Sequence, residues 1–367
     1  MDASNLDVQF MQQALRLARR GLGRVSPNPM VGAVIVRDGR VIARGYHHYF
    51  GGDHAEVDAL KKAGDAAAGA TMYVTLEPCR HRGKTPPCTD AIIRVKIARV
   101  VIGMLDPDPR MRGGSVKLLE ENGIPATVGL LEDACRVLNE TYVKHRTTGL
   151  PFVTVKWAQT LDGRIATAQG DSRWISSPES LRLAHRLRAT HDAILVGAGT
   201  VLKDNPELTT RLVRGRNPLR IVIDPRLRIP LDSRVLSGQD AAKTIVVTNT
   251  AAPPDKLAAL KEMGIEALAV SADPAGRIDL AAMLKNLGAR SISSLLVEGG
   301  GETITSFIRA GLADKIIAII APKILGKGTD AVGDLDITDL AKAHQLSFTK
   351  VYRSGVDVVV EGNQLRS

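Results

Sequence analysis

Three side chains in the first quarter of the chain have the types and spacing of a metal centre. His54 opens a helix predicted over His54 to Ala63, Cys79 follows a strand predicted over Thr71 to Leu76, and Cys88 opens the next helix after eight intervening residues. One imidazole and two thiolates suit Zn2+. A structural zinc site closes itself with a fourth protein ligand, whereas a catalytic one leaves that position to water, and no fourth ligand stands in this stretch. Glu56, two residues after His54, is too near to be an easy ligand and well placed to exchange protons with a metal-held water, as general base and then acid. His54 and Cys88 both fall at helix beginnings, where unpaired N–H groups favour thiolate and hydroxide, and zinc lowers the pKa of water toward about 7. Hydroxide delivered to an amidine-like ring carbon, beside a carboxylate that hands the proton to the departing amine, performs hydrolytic deamination. Cys135 lies in a predicted apolar helix and reads as an ordinary buried thiol.

A second set of residues points to a different chemistry. Val297-Glu298-Gly299-Gly300-Gly301-Glu302-Thr303 joins a predicted strand to a predicted helix, a turn at which glycines let backbone N–H groups approach a pyrophosphate. It is not the Gly-x-Gly-x-x-Gly dinucleotide fingerprint, and alone it fits a tight structural turn equally well. Lys156 interrupts an apolar strand over Phe152 to Ala158, and loops at Asp171 to Ser176 and Val196 to Pro206 follow strand ends, where ligands of α/β proteins collect.

These residues need elements to hold them. An apolar stripe predicts a first helix over Asn5 to Arg20; strands over Val31 to Val36 and Val41 to Arg44 flank an Asp38-Gly39 hairpin signal. Helix and strand then alternate: after the elements named above come a helix over Cys88 to Val95, a strand over Arg99 to Met104 and helices over Ser115 to Asn122 and Leu131 to Lys144. That order predicts a three-layer α/β domain. Gly149 and Pro151 break the pattern, so the reading places one domain at 1–147 and a second at 151–367. The second has strands over Phe152 to Trp157, Ala193 to Val196, Arg220 to Ile223, Thr244 to Thr248, Ser294 to Val297 and Lys315 to Ile320, with helices such as Pro178 to Arg188 and Glu302 to Ala310.

Length and composition agree with a globular two-domain protein: 367 residues, 44% hydrophobic, 24% charged. The net charge of +10 divides evenly, +5 up to Thr147 and +5 beyond it, and basic runs lack stacking aromatics, which argues against nucleic acid as a partner. A small phosphorylated substrate accounts for the mild basic balance. Three cysteines suit a reducing compartment, and no apolar run reaches the roughly 18 residues of a membrane span, so a cytoplasmic location is expected.

The His-Ala-Glu and Pro-Cys pattern resembles the cytidine-deaminase-like superfamily. Ser26-Pro27-Asn28-Pro29-Met30-Val31-Gly32 and Leu76-Glu77-Pro78-Cys79-Arg80-His81-Arg82-Gly83-Lys84-Thr85-Pro86-Pro87-Cys88 resemble one branch of it, the bifunctional pyrimidine deaminase/reductases of bacterial riboflavin biosynthesis. Nucleic-acid-editing relatives have two residues between the cysteines, not eight. The resemblance implies that Asn28 and His47 hold the substrate, that His81 and Lys84 meet its phosphate, and that Asp106 contacts the base. The family usually has Asn where Asp108 stands, and Gly where Ser115 stands. From about 150 to 350 the chain resembles the dihydrofolate-reductase-like half of the same family. That implies that Ala158, Trp174, Thr200, Asp204 and the loop Gly299, Gly300, Gly301, Glu302 and Thr303 contact NADPH, and that Ser172, Arg188, Leu208, Arg211 and Glu298 hold the substrate. Lys156 would polarise the ribosyl carbon or its imine as hydride arrives. Arg226 and Arg228 are candidates for the 2′-phosphate of NADPH.

The implied activity is zinc-dependent deamination of 2,5-diamino-6-ribosylamino-4(3H)-pyrimidinone 5′-phosphate, then NADPH-dependent reduction of ribosyl to ribityl, in a homo-oligomer. Three alternatives stay open at this point, one being that one half has decayed, in which case the departures at Asp108 and Ser115 make the deaminase the half to test. A nucleic-acid base deaminase would need a short cysteine spacing and a basic or aromatic groove. A zinc-stapled binding module would need a fourth ligand and no use for Glu56.

Overall fold

The computed structural model describes residues 3–83, 85–238, 242–273 and 276–365. The chain divides into two compact units, Met1–Gly149 and Leu150–Ser367.

The first unit starts with α1 (Ala3–Ala18), then β1 (Gly32–Arg37), β2 (Arg40–Tyr46), α2 (Ala55–Ala63), β3 (Thr71–Val74), α3 (Cys88–Val95), β4 (Arg99–Ile102), α4 (Gly114–Glu121), β5 (Ala126–Val128), α5 (Glu132–Leu138) and α6 (Glu140–Thr148). Its five-stranded sheet runs β2-β1-β3-β4-β5. Asp38 and Gly39 both take positive φ, 50° and 70°, as the two-residue hairpin between β1 and β2 requires. Two glycines let helices close on both sides of this sheet. Gly32 pairs with Tyr46, while its neighbour Ala33 pairs with Gly45, so the two glycines face opposite sides. A Cβ at Gly32 would collide with the backbone of α1 at Ala14, and one at Gly45 with α2 at Ala55. Three layers result, and α2 is pressed onto the strand end that precedes His47.

The helix expected over Leu131 to Lys144 is two helices. Asn139 breaks it because its side chain is committed elsewhere: Oδ1 accepts the Met30 N–H at 2.8 Å and Nδ2 donates to the Met30 carbonyl at 3.0 Å. A buried amide matched to both groups of one peptide outweighs continuation of the helix.

The second unit contains β6 (Phe152–Thr160), β7 (Arg164–Thr167), α7 (Pro178–Thr190), β8 (Ala193–Gly197), α8 (Ala198–Asp204), β9 (Leu219–Ile223), β10 (Thr244–Thr248), α9 (Pro254–Glu262), β11 (Glu266–Ala269), α10 (Leu280–Ala289), β12 (Ser294–Val297), α11 (Gly301–Arg309), β13 (Lys315–Ala321), β14 (Gly328–Asp330), β15 (Leu346–Ser354) and β16 (Asp357–Gln364). Nine strands form one sheet in the order β11-β10-β9-β8-β12-β6-β13-β16-β15. The first seven in that order are parallel, and the β15–β16 hairpin adds antiparallel. Alternate residues of the parallel strands feed cores on both faces: Leu195, Ile221, Val247 and Leu295 on one, Ile194, Val222, Val246 and Leu296 on the other. Continuous apolar strands follow from such double coverage.

The strand order creates the opening for a ligand. From β6 the chain steps out to β8 and on to β11, then returns with β12 into the gap between β6 and β8. The carboxyl ends of β8 and β12 are therefore neighbours, and the crevice beyond such a reversal is where α/β sheets bind ligands.

Candidate active sites

In the first unit, local structure brings His54, Cys79 and Cys88 together. His54 is the extended N-cap residue of α2, and Cys88 is the first residue of α3. Cys79 sits in the loop after β3, where its sulfur accepts the Cys88 N–H at 3.3 Å. The His54 Nδ1 lies 3.5 Å from Cys79 Sγ and 3.3 Å from Cys88 Sγ, and one ligand atom from each of the three lies within 4.8 Å of the others. Tetrahedral zinc, with bonds of about 2.3 Å to sulfur and about 2.0 Å to nitrogen, sets its ligands roughly 3.5 to 3.8 Å apart. The cluster fits that ion with little movement. Its groups perturb one another: the Cys79 contact and burial push the Cys88 thiol up. Hydrogen bonds from Cys88 and then His54 hold the Cys79 thiol down at about 4 against its burial, and the bond to Cys79 lifts His54 to about 9. Thr85 meets the other ring nitrogen, Nε2, at 3.4 Å, which leaves Nδ1 for the metal. Among the described residues this group has three members.

Glu56 is 3% exposed beside this cluster, and burial, opposed by His54, raises it to about 7. A cavity of about 190 Å3 opens here, lined by Asn28, His47, Phe50, His54, Glu56, Glu77, Cys79, His81, Thr85, Asp106, Tyr142 and Arg146 among others. His47 Nδ1 donates to the Asp53 carbonyl at 2.9 Å, so its Nε2 accepts from Asn28 Nδ2 at 3.2 Å. Burial lowers the His47 pKa and keeps the ring neutral. Asp106 accepts the Tyr142 hydroxyl at 3.2 Å and the Asp108 N–H at 2.9 Å.

Both departures from the family pattern have partners of their own. The Asp108 carboxylate is held by the Arg110 guanidinium through Nε at 2.9 Å and Nη2 at 2.6 Å. Ser115 is buried and donates its hydroxyl to the Pro78 carbonyl at 2.6 Å. Of the basic residues between the cysteines, His81 lines the cavity. Arg80 turns away across Gly114 and donates to the Arg110 carbonyl at 3.0 Å. Lys84 lies outside the described residues.

In the second unit a large cleft sits at the crevice beyond β8 and β12. Ser172, Thr200, Asp204, Gly300, Gly301, Glu302 and Thr303 line it, as do Arg226 and Arg228. The glycines are there because side chains do not fit: a Cβ at Gly299 would lie 2.5 Å from the Thr303 Cβ, and one at Gly301 would lie 2.6 Å from the Asp330 carbonyl oxygen. Gly300 donates its N–H to Thr200 Oγ1 at 3.1 Å, joining the loops after β8 and β12. The loop ends as the N-terminus of α11, an arrangement suited to the phosphates of a dinucleotide. Lys156, Ala158, Trp174, Arg188, Leu208, Arg211, Glu298 and Gly299 are not among the lining residues. Trp174 is 65% exposed, and Leu208 is buried with φ of 56°.

Glu298, two residues before Gly300, anchors a buried charge cluster. Arg188 grips it with Nε at 3.1 Å and Nη2 at 2.8 Å, and Lys156 Nζ lies 3.9 Å away. Burial alone would raise the Glu298 pKa, but Arg188 and Lys156 outweigh it and hold the carboxylate at about 2. Burial lowers Lys156. His185 accepts the Arg211 N–H at 2.9 Å, and burial with the nearby arginines lowers its pKa to about 4, which fits a neutral acceptor. Arg211 itself contacts Glu207 and Thr209 Oγ1.

Comparison with known proteins agrees with this division of labour. Residues 151–360 match the family described as the RibD C-terminal domain, and residues 4–104 match the cytidine and deoxycytidylate deaminase zinc-binding region. The riboflavin biosynthesis protein RibD of Aquifex aeolicus is 46% identical over 97% of this chain and 98% of its own. The chain belongs to the RibD family of riboflavin biosynthesis. Two solved RibD-family structures cover it almost end to end. The Acinetobacter baumannii RibD is 33% identical with a TM-score of 0.89, over 99% of this chain and 100% of that one. A Thermotoga maritima diaminohydroxyphosphoribosylaminopyrimidine deaminase/5-amino-6-(5-phosphoribosylamino)uracil reductase is 40% identical with a TM-score of 0.85 and the same coverage. As a RibD-family member the chain is a bifunctional enzyme of the riboflavin pathway, with a zinc-binding deaminase region and a reductase region that uses a nicotinamide cofactor. No described helix is long and apolar enough to cross a membrane.

Several lining or supporting residues escape a reading by motif. Glu77, inside the Leu-Glu-Pro-Cys run, lines the first cavity although the metal-ligand pattern gives it no function. Tyr142 and Arg146 reach the first cavity from α6, some 50 residues beyond the cysteines, and His185 supports the Arg211 loop from α7. No local spacing announces such contacts.

Proposed function

We propose that residues 1–147 deaminate 2,5-diamino-6-ribosylamino-4(3H)-pyrimidinone 5′-phosphate and that residues 151–367 reduce the ribosyl group of the product with NADPH, giving 5-amino-6-ribitylaminouracil 5′-phosphate. The observation that carries the reading is the three-member cluster of His54, Cys79 and Cys88 with buried Glu56 at one cavity. Zinc held by these three residues supplies the Lewis acidity that makes water a nucleophile near neutral pH. Glu56 takes a proton from the attacking water and returns one to the leaving nitrogen; oxygen is gained at ring C2 and ammonia departs. Burial raises the carboxyl toward neutrality, the direction that suits a group which both accepts and donates. Asn28 and neutral His47 orient the base from one side and Asp106 from another, with His81 and Lys84 assigned to the phosphate.

In the second unit a nicotinamide cofactor supplies hydride. Thr200, Asp204 and the Gly299 to Thr303 loop are assigned to it, together with Ala158 and Trp174. Arg226 and Arg228 on the cleft wall support NADPH over NADH, because paired guanidinium groups suit a 2′-phosphate. Opening of the ribosyl ring breaks the C1′–O4′ bond and moves the proton of the adjoining nitrogen to O4′, leaving a C1′=N imine; reduction then adds one hydride at C1′ and one proton at that nitrogen. Lys156 is assigned to polarise that carbon–nitrogen bond, and Ser172, Arg188, Leu208, Arg211 and Glu298 to hold the substrate. Free cysteines support a cytoplasmic setting, and a homo-oligomer completes the proposal.

The test supplies the diaminopyrimidine ribotide with and without NADPH and follows ammonia and NADPH absorbance separately. Ammonia release without NADPH, and NADPH oxidation only after deamination, are expected. NADPH oxidation with no ammonia would assign the chain the reductase reaction alone.

A further inference from the structure

Glu77 is a 4% exposed carboxylate on the wall of the first cavity, two residues before the ligand Cys79. All its hydrogen bonds given by the structure go to backbone. Oε1 accepts the Ser115 N–H at 3.0 Å, and Oε2 accepts the Asp106 N–H at 3.1 Å and the Gly113 N–H at 3.0 Å. Its own N–H donates to the Met104 carbonyl at 2.9 Å. Three donors from one turn, which runs from the end of β4 to the start of α4, therefore converge on a single side chain of the metal-ligand segment. Ser115 reinforces the same junction with its bond to the Pro78 carbonyl. The turn carries Asp106, which lines the cavity together with its hydrogen-bond donor Tyr142.

From this convergence we infer that Glu77 is a positioning residue for deamination, which fixes the distance between the metal cradle and Asp106. The inference rests on the reading above in which Asp106 contacts the base. A carboxylate has acceptor capacity for all three N–H groups, whereas an amide has one oxygen and would turn its NH2 against at least one of them. Loss of a buried acceptor in this way leaves a donor unsatisfied and displaces the turn.

Glu77→Gln is therefore expected to raise KM for the pyrimidine ribotide about tenfold or more. It should keep kcat within about threefold, bind one zinc per chain and leave reduction of the deaminated intermediate unchanged. In an Asp106→Ala background the same substitution should add less than about twofold, because it acts through Asp106. An unchanged KM, a full multiplicative effect in the Asp106→Ala background, or loss of zinc together with kcat would each overturn the inference. If Glu77→Gln does not yield folded protein, Glu77→Asp is measured instead; it keeps the charge but is one methylene short, and an unchanged KM again counts against the idea. Wild-type protein that releases no ammonia from this substrate would overturn the proposed function itself, an outcome separate from any of these.

Discussion

Glu56→Gln should abolish ammonia release, lowering kcat for deamination by about a thousandfold, within the range that general acid–base groups contribute. The substitution keeps the shape of a side chain that is 3% exposed and is not one of the three clustered ligands. Zinc content should therefore stay at one per chain and the fold should be unchanged. Reduction of the deaminated intermediate, carried out by a unit with its own core, should proceed at the wild-type rate. Measuring ammonia, metal content and NADPH oxidation on one preparation separates these effects. Full deamination by a zinc-loaded Glu56→Gln protein would remove the carboxylate from the mechanism and favour a purely structural metal.

Glu298→Gln should damage the second unit in both stability and activity. Arg188 and Lys156 are buried around this carboxylate, and deleting one partner of a buried ionic cluster costs about 3–5 kcal/mol because the remaining charges are left uncompensated. The transition assigned to this unit in calorimetry is expected to fall by on the order of 10 °C, with reductase activity lost and ammonia release preserved. The pH dependence has a definite sign. Glu298 is held at about 2 in the folded protein, below the about 4.3 of an unfolded glutamate. Its contribution is therefore complete above about pH 4.3 and is lost as pH falls toward 2. Between those values the wild type should lose stability more steeply than Glu298→Gln. Equal slopes and an unshifted transition would show that the cluster does not stabilise the unit.

The residues to which we assign the chemistry of the first unit were legible because they are tied to element ends. His54 and Cys88 sit at the N-termini of α2 and α3, where the helical periodicity begins. Six of the seven parallel strands of the second unit were equally visible, since double burial makes them apolar runs; the edge strand β11, with two of its four residues exposed, was not. The β15–β16 hairpin was not. Most of β15 is exposed, so its sequence carries no two-residue alternation to read. β5 has three residues and no fully buried side chain. The break at Asn139 depends on Met30, more than 100 residues away, and the bonds of Glu77 depend on how the turn after β4 folds back. Local pattern cannot specify such partners. Nor does a basic residue's position reveal its partner: Arg80, between the two cysteines, spends its guanidinium on the Arg110 carbonyl beside Gly114.

Metal stoichiometry coupled to activity tests the central claim most directly. Protein purified without chelators should contain one zinc per chain, and its removal should stop ammonia release while NADPH oxidation on the deaminated intermediate continues; added zinc should restore the first reaction. Deamination that persists in metal-free protein, or a zinc that cannot be removed without losing both activities, would contradict the account.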